Sequence, residues 1–355
     1  MSVQAGRERP SPLESLRGRG RPSVISMLGI AFVVLIVAWL VVNFVNDPQE
    51  FINVSLIGLT TGSVYALVAL GYTLVYGILQ LINFAHGDVF ALSGLISSSI
   101  MIDVLNLSGN EAAIVVAGGL LLTILMTMGF GASINATIEL VGYRRLRGQP
   151  RLTMLISAVG MSFIVQNLSL IIYDVNYQSA PDLIPSRPAF TIGEVSLGWD
   201  KLVVILITIP VLIGLTWMVR ATRQGKAMRA TAQDQDAAAM MGINVNRTIS
   251  FTFLLAGSLA GAAGVLFLLQ FQMRYDTGFE LGLIAFTAAV LGGIGNLAGA
   301  TLGGLLIGFI QAYNEGLAIG SPGSDWTRSI VFGILIAILV FRPEGLLGER
   351  TPEGA

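Results

Sequence analysis

The chain contains no cysteine, which excludes disulfides, thiolate metal sites and thiol catalysis together. A single histidine, His86, stands among its 355 residues, and one such ligand cannot close a metal coordination sphere. Charge is scarce too: 12% of residues are Asp, Glu, Lys or Arg, against about 25% in soluble domains. No GxxxxGK[ST] segment occurs, so any P-loop ATPase that serves this chain is a separate polypeptide. What remains is apolar: 54% of residues are hydrophobic, and the mean hydropathy is +0.76.

The few charges are confined to short segments. None occurs in 24–46, 51–87, 112–138, 152–173, 202–219, 248–273, 281–314 or 329–341. A helix needs about 20 residues to cross a hydrocarbon core, and a charge at its centre costs roughly 2.5–3.5 kcal/mol. The expected fold is therefore an all-α polytopic membrane protein. Crossings are predicted at about 24–45, 53–80, 88–107, 112–140, 152–173, 201–219, 248–272 and 326–341. The run 281–314 is about 50 Å long as one helix and is interrupted at Gly292, Gly293, Gly295, Asn296 and Gly299. It is expected to form two helices, giving ten in all, or a re-entrant pair beside eight full spans. The apolar stretch from Val24 to Val45 is longer than a signal-peptide core, so a retained first span is expected. The domain reading is a disordered basic tail at 1–23, a transmembrane bundle at 24–345 that includes the loop 220–247, and a disordered tail at 346–355.

Positive charge clusters at Arg7 to Arg21, at Arg144 to Arg151, in the loop 220–247, and at Arg342 and Arg350. The intervening loops run acidic, with Asp103, Glu111, Asp174, Asp182, Glu194, Asp200, Asp276 and Glu280. The positive-inside rule then places both termini and both internal basic loops in the cytoplasm. Glycines at 58, 62, 71, 257, 261, 264, 299, 303, 304 and 308 lie within spans, where small residues let helix backbones approach.

Two short constellations compete for a functional role. INFAHGD, Ile82 to Asp88, gathers Asn83, His86, Gly87 and Asp88 in a polar break between apolar runs. It reads either as a translocation gate or as a turn in which Asp88 caps the next helix. GGIGNLAGA, Gly292 to Ala300, imitates a dinucleotide fingerprint, with Glu315 near the place of a ribose-binding acid. Its charge-free flanks exclude the required parallel sheet. Gln166 and Asn167 are further pathway candidates or helix–helix hydrogen-bonding groups, and Glu139 is expected to pair with the Arg144 cluster.

The loop 220–247 is alanine-rich, with alanines at 230, 232, 237, 238 and 239. Such a segment favours helix with a low-relief surface and suits docking on another protein. The alternative is a solvated loop that only fixes topology.

From about Phe51 to Leu347 the chain resembles the LivH-type permeases of branched-chain amino acid ABC importers. The segments carrying the likeness are GLTTGSVYALVALGYTLVYGILQLINFAHGDVFALSG, LISAVGMSFIVQN, GKAMRATAQDQDAAAMMGINVNR and AFTAAVLGGIGNLAGATLGG. The resemblance implies a non-catalytic subunit without cofactor, in the plasma membrane of a bacterium. Its implied partners are a second, LivM-like permease, two ATPase subunits that bind the ATP, and an extracytoplasmic binding protein, with no nucleic acid. Asp236-Ala237-Ala238-x3-Gly242 would correspond to the EAA-x3-G coupling signature, with Asp in place of Glu and without the downstream I-x-L-P. The coupling candidates on this loop are Gly225, Arg229, Asp234, Asp236, Ala237, Ala238 and Gly242. Permeases for urea or short amides are the nearest alternative. A self-sufficient carrier or channel comes next; it would need paired intramembrane ions, and His86 and Asp88 are the sole candidates for these.

Overall fold

The structure is a computed structural model that describes residues 24–184, 188–192, 195–342 and 344–348. The basic tail at 1–23, Glu194 and Arg350 lie outside the described residues. The chain divides into two compact units, Met1–Phe51 and Ile52–Ala355. In the first, α1 spans Val24–Asn46. Asp47 then starts α2 (Pro48–Leu79), its Oδ1 accepting the Glu50 N–H at 2.9 Å. Asp at the cap with Pro behind it is a favourable helix start, since proline has no N–H to leave unpaired.

The second unit continues α2 and adds α3 (Ala85–Ser99), which ends in a π-helical turn at Ile100–Val104. Next come α4 (Ala113–Ile138), its π-helical extension Glu139–Tyr143, and α5 (Arg151–Tyr173). A small antiparallel hairpin of β1 (Pro188–Ile192) and β2 (Val195–Gly198) leads into α6 (Trp199–Ala221). The loop that follows folds as α7 (Arg223–Gln233) and α8 (Gln235–Met240). The chain closes with α9 (Val245–Leu268), α10 (Thr277–Gly292), α11 (Leu297–Gly316) and α12 (Ser324–Phe341).

Among the described residues, eight helices are long and apolar enough to cross a membrane, and Val33–Asn46 and Thr277–Gly292 are shorter apolar helices. The 281–314 run does divide in two at its glycine turn. There α10 and α11 pack antiparallel, Gly292 against Gly299 and Ala288 against Gly303. A helix–turn–helix is not the strand–turn–helix a dinucleotide needs, and Glu315 is bound to Thr327 and Gln311 instead.

The expected disorder from residue 346 onward is corrected at its start. Leu346 and Leu347 donate backbone N–H groups to Leu291 and Gly292 carbonyls at 2.8 and 2.9 Å, and Asn296 Nδ2 donates to the Leu347 carbonyl at 2.8 Å. The C-terminal carbonyls of α10 would otherwise lack partners, so this strap is held in place by them.

Burial separates inner from outer helices. In their apolar windows α2, α3 and α9 are 78%, 72% and 78% buried, whereas α5, α6 and α12 are 22%, 22% and 11% buried. The three inner helices carry more glycine than the three outer ones, because close crossings require small residues while lipid accepts Leu and Ile. Each of the ten glycines noted above meets another helix. Gly257 and Gly261 on α9 lie against α4 at Gly131 and Thr127; Gly264 lies against Gly94 of α3; Gly304 and Gly308 on α11 lie against Ala66 and Gly62 of α2. Several hydroxyls inside the spans bond back along their own helices, as Thr60 does to Leu56 and Thr127 to Thr123, which satisfies these groups where water is absent.

Candidate functional site

Helix α3 resumes at Ala85, so His86, Gly87 and Asp88 occupy its first turn rather than an unwound break. Residues one position apart on a helix face about 100° apart, and these three meet three different neighbours. His86, 0% exposed, turns to α2: its ring meets Tyr72 edge-on at 4.8 Å and fills the space left by Gly71. Gly87 faces α10; a Cβ there would overlap the Gly278 carbonyl oxygen and lie 2.8 Å from Gly282 Cα. Asp88, 1% exposed, turns to α5, where Ser162 Oγ donates to its Oδ2 and its Oδ1 has no partner.

Asn83, just ahead of the turn, accepts from Tyr143 Oη at 3.0 Å and donates to Asn135 Oδ1 at 3.2 Å. Asn135 Nδ2 donates in turn to the Phe253 carbonyl of α9 at 2.7 Å. The segment is thus a hub for five helices, and its polar side chains do not converge on one cavity. Asp88 does not cap α3 either: the cap position is Phe84, with no side-chain cap bond. Gln166 is half-buried on α5, and Asn167 is exposed, its amide bonded back to the Phe163 carbonyl at 2.8 Å. Ser162 is the α5 residue that reaches the hub. Its signal in the sequence is the small-residue stripe Ala158, Ser162, Val165 and Ser169, which are the buried positions of α5 at helical spacing.

The second candidate region, 220–247, is a capped pair of helices. Thr222 caps α7 by accepting the Gly225 N–H at 3.1 Å, and Gly225 lies against the Val219 and Met218 carbonyls, where a side chain would not fit. Arg229 donates to the Val219 carbonyl, a favourable place for a cation at the end of α6. Asp234 caps α8, accepting the Asp236 and Ala237 N–H groups at 2.9 Å each. Gly242 ends α8 with φ +83°. Its N–H donates to the Ala239 carbonyl at 3.0 Å, and the Ile243 N–H donates to the Ala238 carbonyl at 3.0 Å. That is the Schellman pattern, and any residue with a Cβ is disfavoured there by roughly 1–2 kcal/mol.

Gly225, Arg229, Asp234 and Gly242 therefore shape the loop itself. Ala238 is buried, Ala237 half-buried and Asp236 exposed. Met240 and Met241, which sequence reasoning did not single out, are each 83% exposed at the end of α8. Two adjacent methionines ahead of a capping glycine, in an otherwise hydrophilic loop, were the available signal.

Between the two regions lies a charged cluster. Glu139, 0% exposed, takes a salt bridge from Arg144 at 3.0 Å, as expected, and a second from Arg147. Burial lowers the Arg147 pKa from its ordinary value, and Glu139 opposes that.

Among the described residues, eight long apolar helices and a capped, polar two-helix loop define a polytopic membrane protein. The chain matches the family described as branched-chain amino acid transport system / permease component over residues 54–340, and it belongs to that family. It is 40% identical over 312 residues to the high-affinity branched-chain amino acid transport system permease protein BraD of Pseudomonas aeruginosa, covering 86% of this chain and 97% of that one. To the corresponding permease protein LivH of Escherichia coli K12 it is 36% identical, covering 88% and 98%. The ribose import permease protein RbsC of Escherichia coli K12 is 26% identical, covering 89% and 92%. No solved structure matches the chain.

Proposed function

We propose that this chain is the membrane-spanning subunit of an importer of branched-chain amino acids, driven by ATPases on separate chains. The observation that carries the reading is its likeness to BraD and LivH across nearly their whole lengths. The 220–247 loop supports it: α8 is rigidly capped at both ends and presents Met240 and Met241 to the outside. A nucleotide cycle shifts the permease only through contacts that differ between its states, and an exposed, rigid element meets that need. We place this loop and both termini in the cytoplasm. Two ATPase subunits, a second LivM-like permease and an extracytoplasmic binding protein complete the assembly, in a bacterial plasma membrane. Substrate choice rests mainly with the binding protein, since a ribose permease shares the same frame across 89% of the chain.

Proteoliposomes holding the complete assembly should accumulate labelled leucine only when ATP and the binding protein are both present. Excess valine or isoleucine should compete, and urea or ribose should not. Leucine uptake by this chain alone, without the ATPases, would overturn the reading.

A further inference from the structure

We infer that Glu139 and Tyr143 are positioning residues that relay movement of the 220–247 loop to the turn at Asn83–Asp88. The inference rests on the importer reading above.

The relay begins where the loop enters α9. Asn246, four positions beyond Gly242, accepts from Arg147 Nη1 at 2.6 Å. One turn on, Ser250 donates to Glu139 Oε2 at 2.8 Å and accepts from Arg144 Nη2 at 2.5 Å. The start of α9 is thereby held to the end of α4 through a fully buried carboxylate and two arginines. Glu139 opens the π-helical turn Glu139–Tyr143, and such turns recur at functional sites. Tyr143 closes the same turn. Its ring meets Phe253 of α9 at 5.5 Å, and its hydroxyl bonds Asn83. Asn83 in turn sits two residues ahead of α3, whose first turn touches α2, α5 and α10.

Every link from Asn246 to Asn83 is thus a hydrogen bond, an ion pair or one short helical turn. The glycine crossings farther along α4 and α9, Gly131 with Gly257 and Thr127 with Gly261, bind the same two helices without any charge. Cohesion alone therefore does not call for a buried carboxylate, and such a pair is often no more stable than apolar packing. Directional polar contacts do, however, exchange between discrete arrangements, which is how small shifts at one site become larger shifts at another.

The test uses the complete importer in proteoliposomes, with leucine uptake and ATP hydrolysis read on the same sample. Tyr143→Phe keeps the ring against Phe253 and removes only the bond to Asn83. It should leave assembly and ATP hydrolysis at wild-type level while uptake per ATP falls about tenfold, within the ~5–150-fold span of ordinary coupling energies. Glu139→Gln should do the same, and the double variant should be no worse than Glu139→Gln alone, because both act in series. If Glu139→Gln does not assemble, Tyr143→Phe decides by itself. Wild-type uptake per ATP in Tyr143→Phe, or losses that multiply in the double variant, would overturn the relay. Failure of the wild-type assembly to couple would count instead against the importer reading.

Discussion

Gly87→Val should prevent the folded permease from accumulating, while Gly129→Val should leave its amount in membranes close to wild type. Both glycines lie inside helices, so helix propensity alone predicts similar effects. Their surroundings differ. A Cβ at Gly87 meets the Gly278 carbonyl and Gly282 Cα, which are backbone atoms, whereas nothing lies within 4 Å of one at Gly129. Overpacking typically costs about 1–3 kcal/mol where side chains can yield, and backbone on a facing helix yields less. The contact is reciprocal, since a Cβ at Gly278 would overlap the Gly87 carbonyl. Detergent extraction and size-exclusion of the two variants reads the result directly. Normal recovery of Gly87→Val would mean that α3 and α10 do not cross as closely as described.

The combined substitution Met240→Asp and Met241→Asp should abolish uptake while membrane insertion stays normal. Both side chains are 83% exposed and lie outside every apolar span, so the bundle does not depend on them. If they are buried against an ATPase, each contributes about 1.5–3 kcal/mol. Losing both then weakens docking by roughly a hundredfold or more, and unpaired carboxylates in an apolar groove add to the loss. Replacement of both by leucine should retain uptake, because shape and apolarity persist. Copurification of the ATPase subunits with each variant distinguishes lost docking from lost transport. A loop that only fixes topology would tolerate the aspartates.

The spans from residue 48 onward, the split of 281–314 and the Glu139–Arg144 pair were legible because absence of charge and local spacing report them directly, whereas of the crossing expected at 24–45 only the shorter apolar helix Val33–Asn46 stands. So was the packing role of the span glycines. What was not legible is tertiary. Asp88 reads as a helix cap until α3 is seen to begin at Ala85, three residues earlier. Ser162 looks like any hydroxyl in a span, and the more polar Asn167 draws attention although it faces outward. These two lie five positions apart, about 140° around the helix, so polarity alone does not point to the face that meets Asp88. Tyr143 and Arg147 reach Asn83 and Asn246 only because α4, α9 and the approach to α3 come together. The tail from residue 346 read as disordered by composition, yet unpaired carbonyls at the end of α10 hold its first residues.

The central claim is that motion enters this bundle through α8 from ATPases on other chains. The absence of cysteine lets one introduced thiol report without background. Met241→Cys, carrying a thiol-linked photoreactive probe, should crosslink to an ATPase subunit in membranes of the assembled importer. A probe that yields no ATPase adduct, or a thiol that reacts only with reagents confined to the extracytoplasmic side, would contradict the account.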